Sequence, residues 1–209
     1  MIKILLSLIL VGFMIMPISA QKDGDFQFWD TTSLEGKLFQ NVKAKAEQEL
    51  RFGSGVDYLY YHHTDLSFLW QTKHKWLIVG SAYRQVFELK NSQWKKENRP
   101  YLAIVLKRNI GQLNIESRNR LERRFKDASS WRYRNQVSLK HSGKRFQPYV
   151  ADEFFIEHGN LSRNRLSSGF SFTVTKNIKP ELYYMWQTSK KENVWVDFHI
   201  TSIKVKLEF

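Results

Sequence analysis

The chain has no cysteine among its 209 residues. No disulfide can staple the fold, and no thiol is available to carry a lipid anchor. Long hydrophobic runs are also missing. The only one, Ile4 to Met16, is shorter than the roughly 20 apolar residues a membrane-spanning helix needs. There is no low-complexity linker and no break in composition where a second domain could begin. A G-x-S-x-G nucleophile elbow is absent. Acidic side chains are outnumbered: 20 Asp and Glu stand against 33 Lys and Arg, for a formal charge of +13. In a cytosolic chain that surplus would suggest nucleic acid as partner.

The first segment present argues otherwise. Lys3 supplies a positive start, Ile4 to Met16 an uncharged stretch, and Pro17 with Ile18-Ser19-Ala20 a small-residue cleavage site before Gln21. Residues 1–20 read as a secretory signal peptide, with an N-terminal membrane anchor as the alternative. Residues 21–209 are then one exported domain. Export sets nucleic acid aside as a partner. The remaining cation surplus fits lipopolysaccharide phosphates, an anionic solute or basic loops.

The 42% of hydrophobic residues are spread in alternation rather than gathered in blocks. Val42, Ala44, Ala46, Leu50 and Phe52 share one face of an extended segment, with Gln48 the one polar exception. Lys43, Lys45, Glu47, Glu49 and Arg51 share the other. The pattern recurs over Val56–Trp70, Leu77–Leu89, Tyr101–Arg108, Leu113–Phe125, Trp131–Leu139, Gln147–Ile156, Arg163–Val174, Glu181–Thr188 and Asp197–Phe209. In Val56–Trp70, Tyr58, Tyr60, Leu66, Phe68 and Trp70 fall in one phase. The last segment alternates to the aromatic Phe209. A leader, alternating strands and a terminal aromatic describe an all-β, antiparallel, up-and-down transmembrane barrel of a Gram-negative outer membrane. Its C-terminal strand, ending at Phe209, is the segment expected to meet the barrel-assembly machinery. A soluble β-sandwich is the competing fold.

Ten strands are expected, with twelve as the alternative. Phe26–Leu34 would make eleven and break the even count usual for bacterial barrels. Asn91–Arg99 is expected to be the longest connection. Trp70, Trp76, Trp131, Tyr133, Trp186 and Trp195 cluster toward strand ends, as interfacial girdles do. Asn119 and Arg123 fall on the lipid side, and a bulge is expected near Asn119.

The polar faces carry the chemistry. Glu49, Arg51, Glu116, Arg118, Arg120, Glu122, Arg124, Arg132, Arg134, Glu153, Arg163 and Arg165 are expected to point into the lumen. Arginines on adjacent strands repel unless carboxylates or anions lie between them. A barrel of about eight strands is just filled by its side chains. The leading expectation is therefore a largely plugged lumen held by an Arg/Glu network. Such a barrel would serve as a structural, adhesive or partner-binding protein. The alternative is a narrow anion-preferring channel or transporter. A lipid-modifying enzyme is the third reading.

For that third reading, Asp57, His63, Asp65 and Ser67 share one phase of a strand. Neighbours in such a row lie roughly 7 Å apart, too far for direct proton relay. Adjacent His62 and His63 point to opposite faces and cannot chelate one metal. His74, His141, His158 and His199 show no ligand spacing. No metal, cofactor or catalytic constellation is expected. Lys73-His74-Lys75 reads as a solvated turn, and Lys95-Lys96, if in a loop, as a site for lipopolysaccharide phosphates.

Several motifs resemble those of a bacterial family called domain of unknown function 2490. They are Arg118-Asn119-Arg120-Leu121-Glu122-Arg123-Arg124-Phe125, Glu47-Gln48-Glu49-Leu50-Arg51-Phe52, Arg132-Tyr133-Arg134, Asp152-Glu153-Phe154-Phe155 after Pro148-Tyr149, and Asn164-Arg165-Leu166-Ser167-Ser168-Gly169. The resemblance spans nearly all of the mature chain. It implies an outer-membrane β-barrel with no established activity.

Overall fold

Alternation at period two turns every second side chain to one face of a sheet, and here the sheet closes on itself. The computed structural model describes residues 23–191 and 193–209, so the leader expected over residues 1–20 lies outside the described residues. The described residues form eleven strands and no helix. They are β1 Asp25–Phe39, β2 Val42–Gly53, β3 Tyr58–Gln71, β4 Leu77–Lys90, β5 Gln93–Ile110, β6 Leu113–Arg124, β7 Ser130–His141, β8 Phe146–Glu157, β9 Asn160–Phe172, β10 Ile178–Lys191 and β11 Val194–Glu208.

The count corrects both ten and twelve. The segment excluded by parity is β1, and it completes the ring. It pairs with β2 antiparallel and with β11 parallel, from Asp25 opposite Phe198 to Glu35 opposite Glu208. An odd number of strands cannot close with antiparallel neighbours alone, and the β1–β11 seam supplies the one parallel pair. The first strand therefore starts at one end of the barrel and the last finishes at the other. These are called below the amino end and the carboxyl end.

Strand stagger sets the barrel's shape. The register leads from Lys37 on β1 through Lys43, Leu69, Gly80, Ala103, Arg120, Arg134, Phe155, Arg163 and Ser189 to Val196 on β11. Continuing the Asp25–Phe198 pairing two residues back returns it to Asp23, fourteen residues before Lys37. Fourteen residues at about 3.3 Å, spread over eleven strands about 4.8 Å apart, tilt the strands by about 40°. At that tilt a twelve-residue strand such as β6 climbs roughly 30 Å.

The connections are two to five residues long at both ends. The expected long link over Asn91–Arg99 does not exist. Asn91 and Ser92, with φ of 48° and 62°, make a two-residue hairpin turn, and β5 begins at Gln93. Two successive left-handed residues match the twist of paired strands, which lets so short a turn work. Lys95 and Lys96 consequently sit in a strand, opposite Glu88 and Phe87, and not in a loop. His158 and Gly159 make a similar turn, so Glu157 closes β8 instead of opening a loop.

Two local expectations also change. Arg51 pairs with Tyr61, whereas Phe52 pairs with Leu59; Tyr60 is the extra residue of a bulge. The bulge switches phase, so Tyr60 turns inward and leaves the outward row of Leu66, Phe68 and Trp70. Near Asn119 the pairing with both neighbours is regular, so no bulge lies there. Asn119 does face outward, and its Oδ1 accepts from the Tyr133 hydroxyl at 2.6 Å and from Asn135 Nδ2 at 2.8 Å.

Burial is inverted relative to a water-soluble domain. Among the described residues, twenty-four buried side chains are polar or charged and eleven are hydrophobic, while Leu66, Phe68, Leu102, Ile104 and Leu166 are exposed on the outer face. The interior apolar groups form two small clusters, Trp29 with Met185, Phe198 and Ile200, and Tyr60 and Tyr61 with Val86. At Gly169 a Cβ would lie 2.4 Å from Tyr183 Cβ and 2.3 Å from the Leu182 carbonyl oxygen, so only glycine lets β10 approach there.

Candidate functional site: the charged barrel interior

Strands β5 to β9 set inward Arg and Glu side by side, and the register decides which of them meet. At the amino end, Glu97 accepts from Arg99 Nε and from Arg124 Nε, each at 2.6 Å. Arg124 reaches Glu157 at 2.8 Å, and Arg132 reaches the same carboxylate at 3.3 Å. Glu122, almost wholly buried, accepts from Arg132 Nε at 2.8 Å and Arg134 Nη1 at 3.0 Å. Glu153 takes Arg134 Nη2 at 2.7 Å and Arg165 Nη1 at 3.3 Å, and Arg165 Nε continues to Gln187 at 2.8 Å. The result is one alternating line of charge across five strands, β5 to β9, ending on the Gln187 amide of β10. Each guanidinium is planar and forked, so it can bridge two carboxylates while staying ionised.

Aromatic rings fill the space between these ions. Phe155 is buried with the guanidiniums of Arg132, Arg134, Arg163 and Arg165 between 4.5 and 5.5 Å from its ring centre. On the opposite wall Arg51 lies between Trp29 at 3.5 Å and Tyr61 at 4.0 Å. Arg165 also stands over Trp29 at 4.9 Å, which ties β9 to β1 across the seam. Rings with a negative face hold desolvated cations in this way. The packing leaves a cavity of about 80 Å³ in the amino half.

The carboxyl half is emptier. A cavity of about 430 Å³ is lined there by ten cationic and six carboxylate side chains. Arg84 is paired with Asp65 at 2.8 Å, and Asp65 also accepts from the Tyr101 hydroxyl at 2.9 Å. Lys204 stands 3.7 Å from Glu47. Arg118 donates to the neutral amide of Gln136 at 2.6 Å and stays 3.9 Å from Glu153. Arg120 is 4.0 Å from Glu122, beyond hydrogen-bond distance. Among the described residues, Arg118 Nε and Arg120 Nη1 are buried with no hydrogen-bond partner.

The twelve charged residues selected from the sequence divide by depth. Glu49, Arg51, Arg120, Glu122, Arg132, Arg134, Glu153 and Arg165 are buried inside. Arg118, Arg124 and Arg163 are half-buried and line the two cavities. Glu116 sits nearer the carboxyl-end opening, 3.2 Å from Lys107. Of the aromatic set, Trp70 lies on the outer face toward the carboxyl end with Trp76 exposed in the β3–β4 turn there, and Trp131 and Trp195 lie on the outer face toward the amino end. Tyr133 is half-buried near the amino end. Trp186 lies mid-strand opposite His199, away from either rim.

The row of Asp57, His63, Asp65 and Ser67 does not assemble into a relay. Asp57 is in the β2–β3 turn, outside the strand that carries the others. Ser67 Oγ donates to the Lys45 carbonyl, and Asp65 is held by Arg84 and Tyr101. His63 lies between Glu49 at 3.5 Å and Glu47 at 3.6 Å, and neither of its ring nitrogens makes a hydrogen bond. His62 faces outward against Phe87 and Trp94. Among the described residues no three His, Asp or Glu side chains form a group suited to a metal ion.

The interior also contains residues that the sequence reading passed over: Trp29, Arg84, Glu97, Arg99, Phe155 and Glu157. Glu97 and Arg99 were hidden in the supposed loop, although they continue the phase of Tyr101, Ala103 and Val105. Their alternation was the available signal.

Among known families, the one described as "Protein of unknown function (DUF2490)" matches residues 26–197. No curated protein matches the chain.

Proposed function

The chain belongs to the DUF2490 family, whose description carries no activity, and we propose that it is a small integral barrel of a Gram-negative outer membrane. In this reading residues 1–20 direct export and residues 21–209 form the barrel. Its role is structural or partner-binding, with the amino half of the lumen held shut by paired charges and rings. The supporting observation is the inverted burial: hydrophobic side chains cover the outside while ionised groups fill the inside. A contiguous apolar exterior of that kind is stable against hydrocarbon and a liability in water. The tilt of about 40° and the climb of roughly 30 Å suit the band that such a barrel presents to lipid. Outward tryptophans toward both ends fit the two interfaces. Outer-membrane lipid and lipopolysaccharide are the surrounding partners. The strand β11, with Ile203, Val205 and Leu207 on its outer side, is the segment offered to the assembly machinery.

The cysteine-free chain makes the test direct. Single cysteines at Ser92, in an amino-end turn, and at Lys176, in a carboxyl-end turn, should differ in labelling by a membrane-impermeant maleimide on intact cells. One should react and the other only after lysis. Equal labelling of both would remove the spanning reading, as would recovery of the processed protein in a detergent-free aqueous extract.

A second reading, a narrow anion-preferring passage, is favoured by the surplus of cations around the larger cavity. Conductance in planar bilayers separates the two. A steady anion-selective current supports the passage, and silence supports the closed lumen.

A further inference from the structure

We propose that the carboxyl-half cavity is a binding site for a phosphate group, free or carried by a small solute, held by Arg118 and Arg120. The inference rests on the closed barrel and not on its placement in a membrane.

Four guanidiniums, from Arg84, Arg118, Arg120 and Arg134, gather on one side of this cavity. Two are neutralised within the protein: Arg84 by Asp65, and Arg134 by Glu122 and Glu153. The other two approach carboxylates only at 3.9 and 4.0 Å, beyond hydrogen-bond distance. Arg118 spends its close hydrogen bond on an uncharged amide. Arg120 stacks over Tyr101 at 5.2 Å and keeps its nearer carboxylate contact at 4.0 Å. Arg120 is 7% exposed and lies directly opposite Arg134 in the register. Glu122 lies closer to the Arg134 of that pair, at 3.0 Å against 4.0 Å from Arg120.

A buried guanidinium with unused donors is costly, because it has lost water and gained no acceptor. Most other guanidiniums of this interior meet a carboxylate within 3.3 Å, and Arg163 donates to the Ser189 hydroxyl at 3.0 Å. Here the acceptor must come from outside the chain, and the space for it is present. The volume of about 430 Å³ falls within the range of small-molecule sites. Arg118 and Arg120 are two residues apart on β6, so their donors approach the cavity from one wall. Phosphate offers several acceptor oxygens to two forked donors, where chloride offers none that is directional. Gln136 and Ser138, which also line the cavity, provide neutral partners for the hydroxyls of a carrier.

The test uses detergent-refolded full mature protein and inorganic phosphate, followed by calorimetric titration and by the thermal unfolding midpoint. Saturable binding is expected, with a rise in midpoint that chloride at matched ionic strength does not reproduce. Arg120→Gln should weaken binding by about tenfold or more. Arg118→Gln should do the same, and Lys90→Gln, remote at the amino-end rim, should leave binding intact. If Arg120→Gln does not fold, Arg120→Lys and Arg118→Gln carry the comparison. Lysine keeps the charge and loses the fork, so a partial loss is expected. Glycerol phosphate binding more tightly than phosphate identifies a soluble ester as the occupant. Displacement by lipopolysaccharide identifies a lipid headgroup, and both outcomes support the site. A folded barrel that shows no saturable response to phosphate overturns the proposal, as does Arg120→Gln binding like the parent. Neither result touches the membrane reading, which the cysteine labelling decides on its own.

Discussion

In the amino half of the lumen, Arg99, Arg124, Arg132 and Arg134 all reach carboxylates on their own or neighbouring strands, and Phe155 fills the gap between. In the carboxyl half, Arg118 and Arg120 face an open cavity with donors unused. The residue types in the two halves are the same. What differs is whether the register brings an acceptor within reach. Arg132 and Arg120 both lie on the β6–β7 wall, yet one is clamped by Glu122 and the other stands opposite another arginine. Arginine in this interior therefore has no fixed setting: in one half it is clamped by carboxylates, and in the other it keeps donors unused.

Removing a shared acceptor should break the paired half most severely. Glu122→Gln takes a carboxylate from both Arg132 and Arg134, and a loss of about 3–5 kcal/mol is expected for leaving buried charge uncompensated. The urea midpoint of the refolded protein reads it. Phe155→Ala opens a hole among four guanidiniums and should cost about 3 kcal/mol or more in the same measurement. Arg120→Gln should have the opposite sign in phosphate-free buffer. It removes an uncompensated cation and should raise stability by up to about 1 kcal/mol. Lys107→Gln breaks an open rim pair with Glu116, and its effect should stay under about 1 kcal/mol. If Glu122→Gln and Arg120→Gln both lowered the midpoint by similar amounts, the contrast between the halves would vanish.

Much of the wall was legible from alternation alone. Val42 to Phe52, Leu113 to Phe125 and Trp131 to Leu139 stand as strands with the expected charged side inward. Misreadings arose where a local rule met a non-local one. β1 alternates as well as its neighbours, with Gln27, Trp29, Thr31, Ser33 and Glu35 inward. The even-count rule argues against it, and a parallel seam escapes that rule. The Asn91–Arg99 stretch looked like a loop because it is polar. A strand facing a charged lumen is polar on its inner side too, so Glu97 and Arg99 gave no contrast with the turn before them. The bulge at Tyr60 and the outward Asn119 could not be told apart by composition. One shifts the phase, and the other is satisfied by Tyr133 and Asn135 on the next strand.

From its sequence this protein determined which side chains share a face, because the two-residue period belongs to each strand's own backbone. It also determined that arginine and glutamate would crowd one side. Tertiary structure alone decided that eleven strands close through a parallel seam, how far each is staggered against the next, and which cation finds a carboxylate. Those outcomes depend on a fourteen-residue offset accumulated around the whole ring, and no single strand carries that information.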